Sequence, residues 1–191
     1  MEVTEDYFID DVLQTESKAI LQDLMVSTSL VKYFINFNQE KINKSILYIK
    51  EILKEFYKID NLRVLLYYNE KTLYGYAISF LDQNEEYLYL HKIFVFEEYR
   101  KNGIGTILLN EICKSDFKIT LICSSEKINF YTHQGFKFIK LFSVPNTDTF
   151  KLSKDLYKGL SLMSNDAKNT NGTIFLLDDI DIKNIANIME A

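Results

Sequence analysis

The chain has 191 residues, which suits one compact domain, and 47% of them are apolar, enough for a substantial core. It contains 22 basic and 27 acidic residues, for a net charge of −5. This balance argues against a nucleic-acid-binding protein, because such proteins gain affinity from basic surfaces. Two isolated cysteines, Cys113 and Cys123, exclude a disulfide scaffold or a zinc ribbon, and no metal site is expected.

The N-terminus predicts neither a signal peptide nor a membrane anchor. Residues 1–6 are acidic and lack a basic segment followed by an apolar one. No stretch reaches the roughly 18 apolar residues that a membrane span needs. We therefore expect a cytoplasmic protein without membrane partners.

Residues 1–60 are predicted to be helical and to form a variable N-terminal part. The clearest helix covers Glu40–Tyr57, where apolar side chains recur on one face and lysines and glutamates occupy the other. The apolar face consists of Ile42, Ile46, Ile49, Leu53 and Phe56.

Three β-rich runs follow, at Leu62–Tyr68, Leu73–Leu81 and Tyr87–Phe96. Turns of a few residues separate them, which predicts an antiparallel meander. The third run is almost continuously apolar and aromatic, as expected for a central strand that is covered on both faces.

Helices and strands then alternate. The predicted elements are a helix at Gly103–Ser115, a strand at Phe117–Cys123, a short helix at Glu126–Gln134 that ends at Gly135, and a hairpin of Phe136–Phe142 with Thr149–Leu152. Together with the meander they predict an α/β fold, in which a mixed, mostly antiparallel sheet has helices on both faces. The expected domain is 1–160, with its core at 62–152.

The C-terminal part is predicted to lie outside this domain. Residues 161–172 are polar and typical of a linker. Residues 173–191 predict a strand followed by a helix, an appendage that would pack on the domain or on a second copy of the chain. A homodimer is one expected arrangement.

The segment Arg100–Gly105 has the pattern R-x-x-G-x-G between a strand and a helix. A helix N-terminus offers unpaired N–H groups and the positive end of the helix dipole, so it binds anions. Glycines at 103 and 105 let a diphosphate approach the backbone, and Arg100 and Lys101 add charge. The pattern also fits an ordinary strand-to-helix turn. A Rossmann site or a P-loop fits poorly, because G-x-G-x-x-G and G-K-[ST] are both missing.

Two longer motifs resemble the GCN5-related N-acetyltransferases (GNAT). Val95–Leu109 is similar to their motif A, and Asn129–Phe136 resembles motif B, F-Y-x-x-x-G-F. The resemblance implies a sheet that splays between its fourth and fifth strands, here Tyr87–Phe96 and Phe117–Cys123. It also implies acetyl-CoA as co-substrate in the gap and transfer of the acetyl group to a primary amine of a small molecule or a peptide.

The same resemblance implies roles for individual residues. Tyr131 would protonate the departing thiolate, although a tyrosine packed in the core explains it too. The residues implied in cofactor binding are Ile93, Phe94 and Val95 along the pantetheine arm, Arg100, Lys101, Asn102, Gly103, Ile104, Gly105 and Thr106 around the diphosphate, and Asn129 on the helix of motif B.

The chain departs from the family pattern at three positions. Ser124 replaces a frequent asparagine, and Asn129, the nearest candidate for that contact, lies on another helix face. Lys127 stands where a small residue is common, and Lys101 where glycine is frequent. These departures leave open a non-catalytic acyl-CoA-binding or scaffold protein with the same fold. A toxin-type acetyltransferase acting on aminoacyl-tRNA is a third alternative, which the acidic balance disfavours.

His91 is the best candidate for the base that deprotonates the acceptor amine. Strand periodicity places it on the same side of the sheet as Ile93, and a pKa near 6.5 suits the task. A structural histidine explains this position equally well, and Glu85 or Glu86 are rival bases. His133, at the end of a helix, is predicted to lie at the surface.

Overall fold

The computed structural model describes residues 5–27, 31, 38–82, 87–144, 152, 154–166, 168 and 177–190. They divide into two compact units that are interleaved in sequence. The first unit contains the described residues within 1–12, 56–141 and 160–175, and the second those within 13–55, 142–159 and 176–191. No helix in the described part of the chain is both long and apolar enough to cross a membrane.

The first unit contains a mixed sheet of six strands, mostly antiparallel as predicted. The strands are β1 (Leu62–Tyr68), β2 (Leu73–Asp82), β3 (Tyr87–Val95), β4 (Lys118–Cys123), β5 (Lys137–Leu141) and β6 (Ser161–Ser164). Their order is β1-β2-β3-β4-β6-β5, and only β3 and β4 run parallel. The helix between them makes the crossover that a parallel pair requires.

Helix α3 (Ile104–Ile112) covers one face of the sheet. It packs in a cluster with side chains from the central strands, while α4 (Ile128–His133) follows a 3-10 turn at Ser125–Lys127. The buried members of the cluster are Ala77, Leu88, Leu90, Ile104, Leu108, Leu109, Ile112, Ile119, Leu121, Cys123, Phe136 and Met163.

The opposite face of the central strands is also buried. Tyr76, Ile78, Phe80 and Tyr89 are each at most 6% exposed. The ring of Phe56, from the last turns of a helix, meets Phe80 edge to face at 6.0 Å. Burial on both faces confirms that the third β-rich run is a central strand.

The prediction for residues 161–164 was wrong, because these residues form β6 in the interior of the sheet rather than a linker. Ser161 and Ser164 are 2% and 0% exposed, and the Ser164 hydroxyl donates a hydrogen bond to the Ile119 carbonyl at 2.9 Å. Serines resemble a linker in sequence, but a satisfied hydroxyl is readily buried.

β6 also pairs with β5, and it takes the place in the hairpin that was predicted for Thr149–Leu152. Of that predicted strand only Leu152 lies among the described residues, in a turn.

Helices α1 (Glu5–Val26) and α2 (Gln39–Lys58) supply the predicted helical N-terminal part, and α5 is Asp179–Glu190. Most of α1 and α2 lies in the second unit with α5. The Tyr48 hydroxyl joins α2 to α5, donating to Asp181 at 2.9 Å and accepting from Asn184 at 2.8 Å. The strand predicted from residue 173 lies almost entirely outside the described residues.

Candidate functional site

The site begins where β3 and β4 stop pairing. Tyr87 to Leu90 pair with Lys118 to Leu121, but β3 continues to Val95 and β4 to Cys123 without further pairing between them. A cleft of about 870 Å³ opens along these unpaired ends. The splayed strands are those that the family resemblance implied.

The loop between β3 and α3 forms one wall of this cleft. Gly103 precedes the helix with a φ of 76°, and no side chain caps the helix N-terminus. The backbone N–H groups of Lys101 to Thr106 form no hydrogen bond with any residue that the structure describes. Ile107 is the first to have an acceptor, the Gly103 carbonyl at 3.0 Å. The wall therefore presents free donors at the positive end of a helix, as an anion site requires.

The two glycines of this loop are needed for different reasons. Gly103 has a left-handed conformation that side chains disfavour. Gly105 has no such constraint, and a Cβ at that position would meet only Ile93 Cγ2 at 3.9 Å and Val95 Cγ2 at 4.0 Å, ordinary contacts. Since the fold itself would accept a side chain at 105, the space above this helix turn remains open for a bound group.

Charged and polar side chains of the loop have distinct positions. Arg100 is exposed, lines the cleft, and donates from Nε to the Val95 carbonyl at 3.1 Å, which fixes the near end of its guanidinium. Lys101 lines the cleft with a φ of 67°. Asn102 does not line it, and its amide instead donates to the Tyr99 carbonyl at 3.2 Å.

Tyr131 lies on the opposite wall, in α4. The helix ends at His133, and Gly135, the predicted stop signal, follows it with a φ of 89°. The N–H of Phe136 bonds to the Tyr131 carbonyl at 3.1 Å and that of Gly135 to the Thr132 carbonyl at 3.0 Å, the Schellman arrangement. This cap fixes the helix so that Tyr131 lines the cleft. Burial, with a smaller effect of Cys123, raises the pKa of Tyr131 to about 12.

His91 also lines the cleft, but its predicted side of the sheet was wrong. Ile78 pairs with Lys92 and Ser79 with Leu90, so His91 is the extra residue of a β-bulge. Its ring contacts Phe80 at 5.6 Å, on the face opposite α3.

Ile93 and Val95, beyond this bulge, pack toward the α3 cluster. The predicted side of His91 depended on an unbroken alternation of side chains between the two faces of β3. The extra residue of the bulge shifts this alternation by one position.

Most of the predicted cofactor residues do border the cleft. Ile93, Phe94, Val95, Arg100, Lys101, Gly103, Ile104, Gly105 and Thr106 are among its lining residues, together with Tyr131 and His91. Asn102 and Asn129 are not, and the Asn129 carbonyl is instead 2.6 Å from Nδ1 of His133.

Several lining residues were not predicted. They are Lys92, Tyr99, Ile122, Cys123, Ser124, Glu126, Lys127 and Phe130. Cys123 is a buried thiol whose pKa is raised by burial. Lys127 and Ser124 were noticed only as departures from a family pattern, and this irregularity was the signal that could have placed them at the site. The described residues contain no cluster of histidines, cysteines and carboxylates that could hold a metal ion.

Comparison with family models gave a match that lies within the first unit. A family model described as Acetyltransferase (GNAT) domain matches residues 60–138. A search of curated proteins gave no match.

Solved structures similar to this chain include three acetyltransferases. One is the PaiA N-acetyltransferase of Thermoplasma acidophilum in complex with coenzyme A, with 18% identity, coverage of 79% of this chain and 92% of that one, and a TM-score of 0.45. Another is a spermidine N-acetyltransferase SpeG chimera from Vibrio cholerae and hSSAT. It has 15% identity, coverage of 62% of this chain and 73% of that one, and a TM-score of 0.48. The third is an acetyltransferase from Thermus thermophilus, with 16% identity, coverage of 79% of this chain and 90% of that one, and a TM-score of 0.47.

The matched residues extend from the start of β1 into β5, so they include the parted strands, the glycine loop and α4. Residues 60–138 of this chain thus match the model of a GNAT acetyltransferase domain.

Proposed function

We propose that this protein transfers an acetyl group from acetyl-CoA to a primary amine by direct attack of the amine on the thioester. One observation carries the proposal: the loop from Lys101 to Thr106, whose N–H groups are unpaired among the described residues, borders an open cleft between two parted strands. Acetyl-CoA supplies an activated acyl group as a thioester. The residues of the chain bind it, orient it and hold the protons.

The glycine loop fits a diphosphate. Its free N–H groups and the α3 dipole favour negative charge, and the space above Gly105 admits it. Arg100 and Lys101 add two cationic groups at the same end of the cleft. A guanidinium held through Nε still has its terminal nitrogens to donate to phosphate oxygens.

The free edge of β3 fits the arm that links the diphosphate to the thioester. Ile93 to Val95 lie beyond the last pair with β4, so their edge of the sheet borders the cleft. An extended amide-containing arm adds to such an edge through backbone hydrogen bonds. The reacting end of the arm would then lie between β3 and Tyr131.

Tyr131 is suited to hold a proton for the leaving thiolate. Its pKa of about 12 keeps the phenol protonated at neutral pH, so that it serves as a donor. A phenol on this wall would deliver its proton to the sulfur as the thioester bond breaks.

His91 is the proposed base for the acceptor amine. It lines the cleft from the face of β3 opposite α3, so an amine that it deprotonates approaches from the face opposite the glycine loop. Holding the two reactants on opposite sides of one strand end would supply much of the rate acceleration.

Two measurements test the proposal. Isothermal titration calorimetry should detect acetyl-CoA binding, and a thiol-release assay should detect turnover with at least one acceptor from a panel of polyamines, aminoglycosides, N-terminal peptides and lysine peptides. The control is Ile107→Ala, an exposed position of α3 outside the cleft lining, which should bind and turn over like the wild type. Absence of binding would refute the proposal. Binding without thiol release for any acceptor would favour the non-catalytic alternative.

A further inference from the structure

The bulge in β3 places two consecutive side chains on the acceptor face of the cleft, that is, on the face of β3 opposite α3. Neighbouring residues of a regular strand point to opposite faces of the sheet. The His91 ring instead meets the rings of Phe80 and Tyr89, at 5.6 and 6.0 Å, on the acceptor face. Lys92 pairs with Ile78, which is buried on that same face, so His91 and Lys92 lie side by side on it.

Phe94 continues the acceptor face toward the end of β3. Its ring stacks on that of Tyr76 at 5.3 Å, and Tyr76 is buried on this face. Phe94 itself is half-buried, and it lines the cleft together with His91 and Lys92. The acceptor face therefore presents a candidate base, a cation and an aromatic surface along one short stretch of strand.

The cation on this face is not explained by the phosphates of the cofactor. Arg100 and Lys101 already supply two cations at the glycine loop, on the other side of β3. Glu126 is the only carboxylate among the described residues that line the cleft, and it belongs to the α4 wall. A polycationic acceptor would meet a like charge at Lys92, whereas an acceptor with an anionic group would be attracted to it.

The spacing of the two side chains limits how far the amine and the anionic group of the acceptor can lie apart. Consecutive Cα atoms of a strand are about 3.8 Å apart, so the imidazole of His91 and the ammonium of Lys92 extend from neighbouring points of the cleft. An acceptor that meets both must carry its amine and its anion within a few bonds of each other. A carboxylate on the carbon atom that bears the amine satisfies this condition.

We propose that the acceptor is a free α-amino acid with an apolar side chain. Its carboxylate binds Lys92, its side chain packs on Phe94, and its amine lies at His91. This inference rests on the proposed function, since it names the class of amine that the same site acetylates. The nitrogen bonds to the acetyl carbon as the carbon–sulfur bond breaks, and the sulfur takes the bonding electron pair and a proton. An ammonium and acetyl-CoA thus yield an N-acetyl amino acid, free coenzyme A and one proton.

The test adds free amino acids to the acceptor panel and compares each with its α-carboxamide, which lacks only the negative charge of the carboxylate. A carboxylate stabilises the protonated form of a neighbouring amine, so the carboxamide is intrinsically the more reactive acceptor. Thiol-release kinetics should nevertheless give leucine or phenylalanine a kcat/KM about ten-fold above that of its carboxamide, as one charge-assisted contact allows. Glycine, without a side chain, and spermidine, a polycation, should both be poorer acceptors.

Variants of the acceptor face identify the residues responsible. Lys92→Met removes the ammonium and keeps an apolar stem. It should abolish the preference by lowering kcat/KM for the acid alone, about ten-fold and mainly through KM, and Lys92→Arg should retain the preference. Phe94→Ala should lower kcat/KM for phenylalanine more than for glycine.

Two control variants lie away from the acceptor face. Lys101→Ala, on the glycine loop, should weaken acetyl-CoA binding in calorimetry and leave the ratio of acid to carboxamide unchanged. Lys114→Ala, an exposed lysine beyond the end of α3 and outside the cleft, should change neither quantity.

A wild type that acetylates the carboxamides as well as the acids would overturn the inference, and so would a Lys92→Met protein that keeps the preference. Turnover of spermidine or peptide amines alone would also overturn it. In all three cases an amine is still acetylated, so the proposed function would stand. Absence of thiol release with every acceptor of the extended panel would instead contradict the proposed function itself.

Discussion

The two walls of the cleft present different parts of the chain. The glycine-loop wall offers backbone N–H groups, and the fold leaves them free by ending β3 and starting α3 without a cap. The α4 wall offers side chains, Lys127 from the preceding 3-10 turn and Phe130 and Tyr131 from the helix that a glycine cap holds in place. A backbone wall binds any ligand with the right charge and shape, whereas a side-chain wall determines the chemistry and the specificity.

This difference predicts how each wall fails when it is mutated. On the α4 wall, removing the Tyr131 hydroxyl should remove one step and leave binding intact. On the glycine-loop wall, no atom can be deleted from the backbone, so only an added side chain or a changed conformation should cause a loss. The predictions below sharpen or break this division.

The largest effect is expected from Tyr131→Phe. Loss of the phenol proton should lower kcat by about 10²–10³-fold, within the range for general acid catalysis, while the Kd for acetyl-CoA changes less than about three-fold. Steady-state thiol release and calorimetry measure the two quantities. A variant with unchanged kcat would show that the α4 wall does not supply the proton.

On the glycine-loop wall, Gly105→Val should weaken acetyl-CoA binding about 100-fold, and Gly105→Ala about 10-fold, because each side chain fills the space above the free N–H groups. For Gly105→Ala the free energy of unfolding should not fall, since a Cβ at 105 meets only ordinary contacts and alanine favours a helix over glycine by about 1 kcal/mol. Calorimetry and denaturant unfolding measure the two effects.

Gly75→Ala is the matched control for these changes. Its added Cβ would lie 2.6 Å from the Phe94 carbonyl oxygen, so the strands must shift. The free energy of unfolding should fall by about 1–3 kcal/mol. If Gly105→Ala instead destabilises the fold like Gly75→Ala, without a direct effect on binding, the glycine at 105 serves packing and not the ligand.

The smallest effect is expected in the alkaline stability of the protein. The pKa of Tyr131 is about 12 in the folded chain, compared with about 10 when unfolded. The folded state therefore favours the protonated phenol, and the stability that this provides is complete below pH 10 and is lost as the pH rises from 10 to 12.

Relative to Tyr131→Phe, the wild type should lose about 1–2 kcal/mol of unfolding free energy across this range. All other tyrosines are present in both proteins, so the difference isolates Tyr131. Parallel pH curves for the two proteins would contradict the raised pKa.

The order of the first four strands and the position of the glycine loop could be predicted from the sequence. The face of the sheet on which an individual side chain lies could not. The alternation of apolar runs predicted the meander, and the R-x-x-G-x-G pattern predicted the loop. The parting of the strands was implied by the resemblance to the GNAT family. The bulge at His91 was not predictable, because one inserted residue reverses the side of the sheet without any mark in the composition. β6 was missed because its buried serines resemble a linker unless their hydrogen bonds are known.

The positions on α4 could be predicted only in part. Tyr131 followed from the family motif, but Asn129 does not line the cleft and Lys127 and Phe130 do. Which residues of a six-residue helix face a ligand depends on how the helix is joined to the strand before it. Here a 3-10 turn at Ser125–Lys127 makes that connection, and its rotation cannot be derived from the 3.6-residue period.

The most direct test of the central claim is a titration of the ¹⁵N-labelled protein with coenzyme A, followed by the backbone amide signals in ¹H–¹⁵N correlation spectra. If the free N–H groups receive the diphosphate, the largest shifts should fall on Lys101 to Thr106. Saturable binding that leaves these amide signals in place and moves signals elsewhere would contradict the claim.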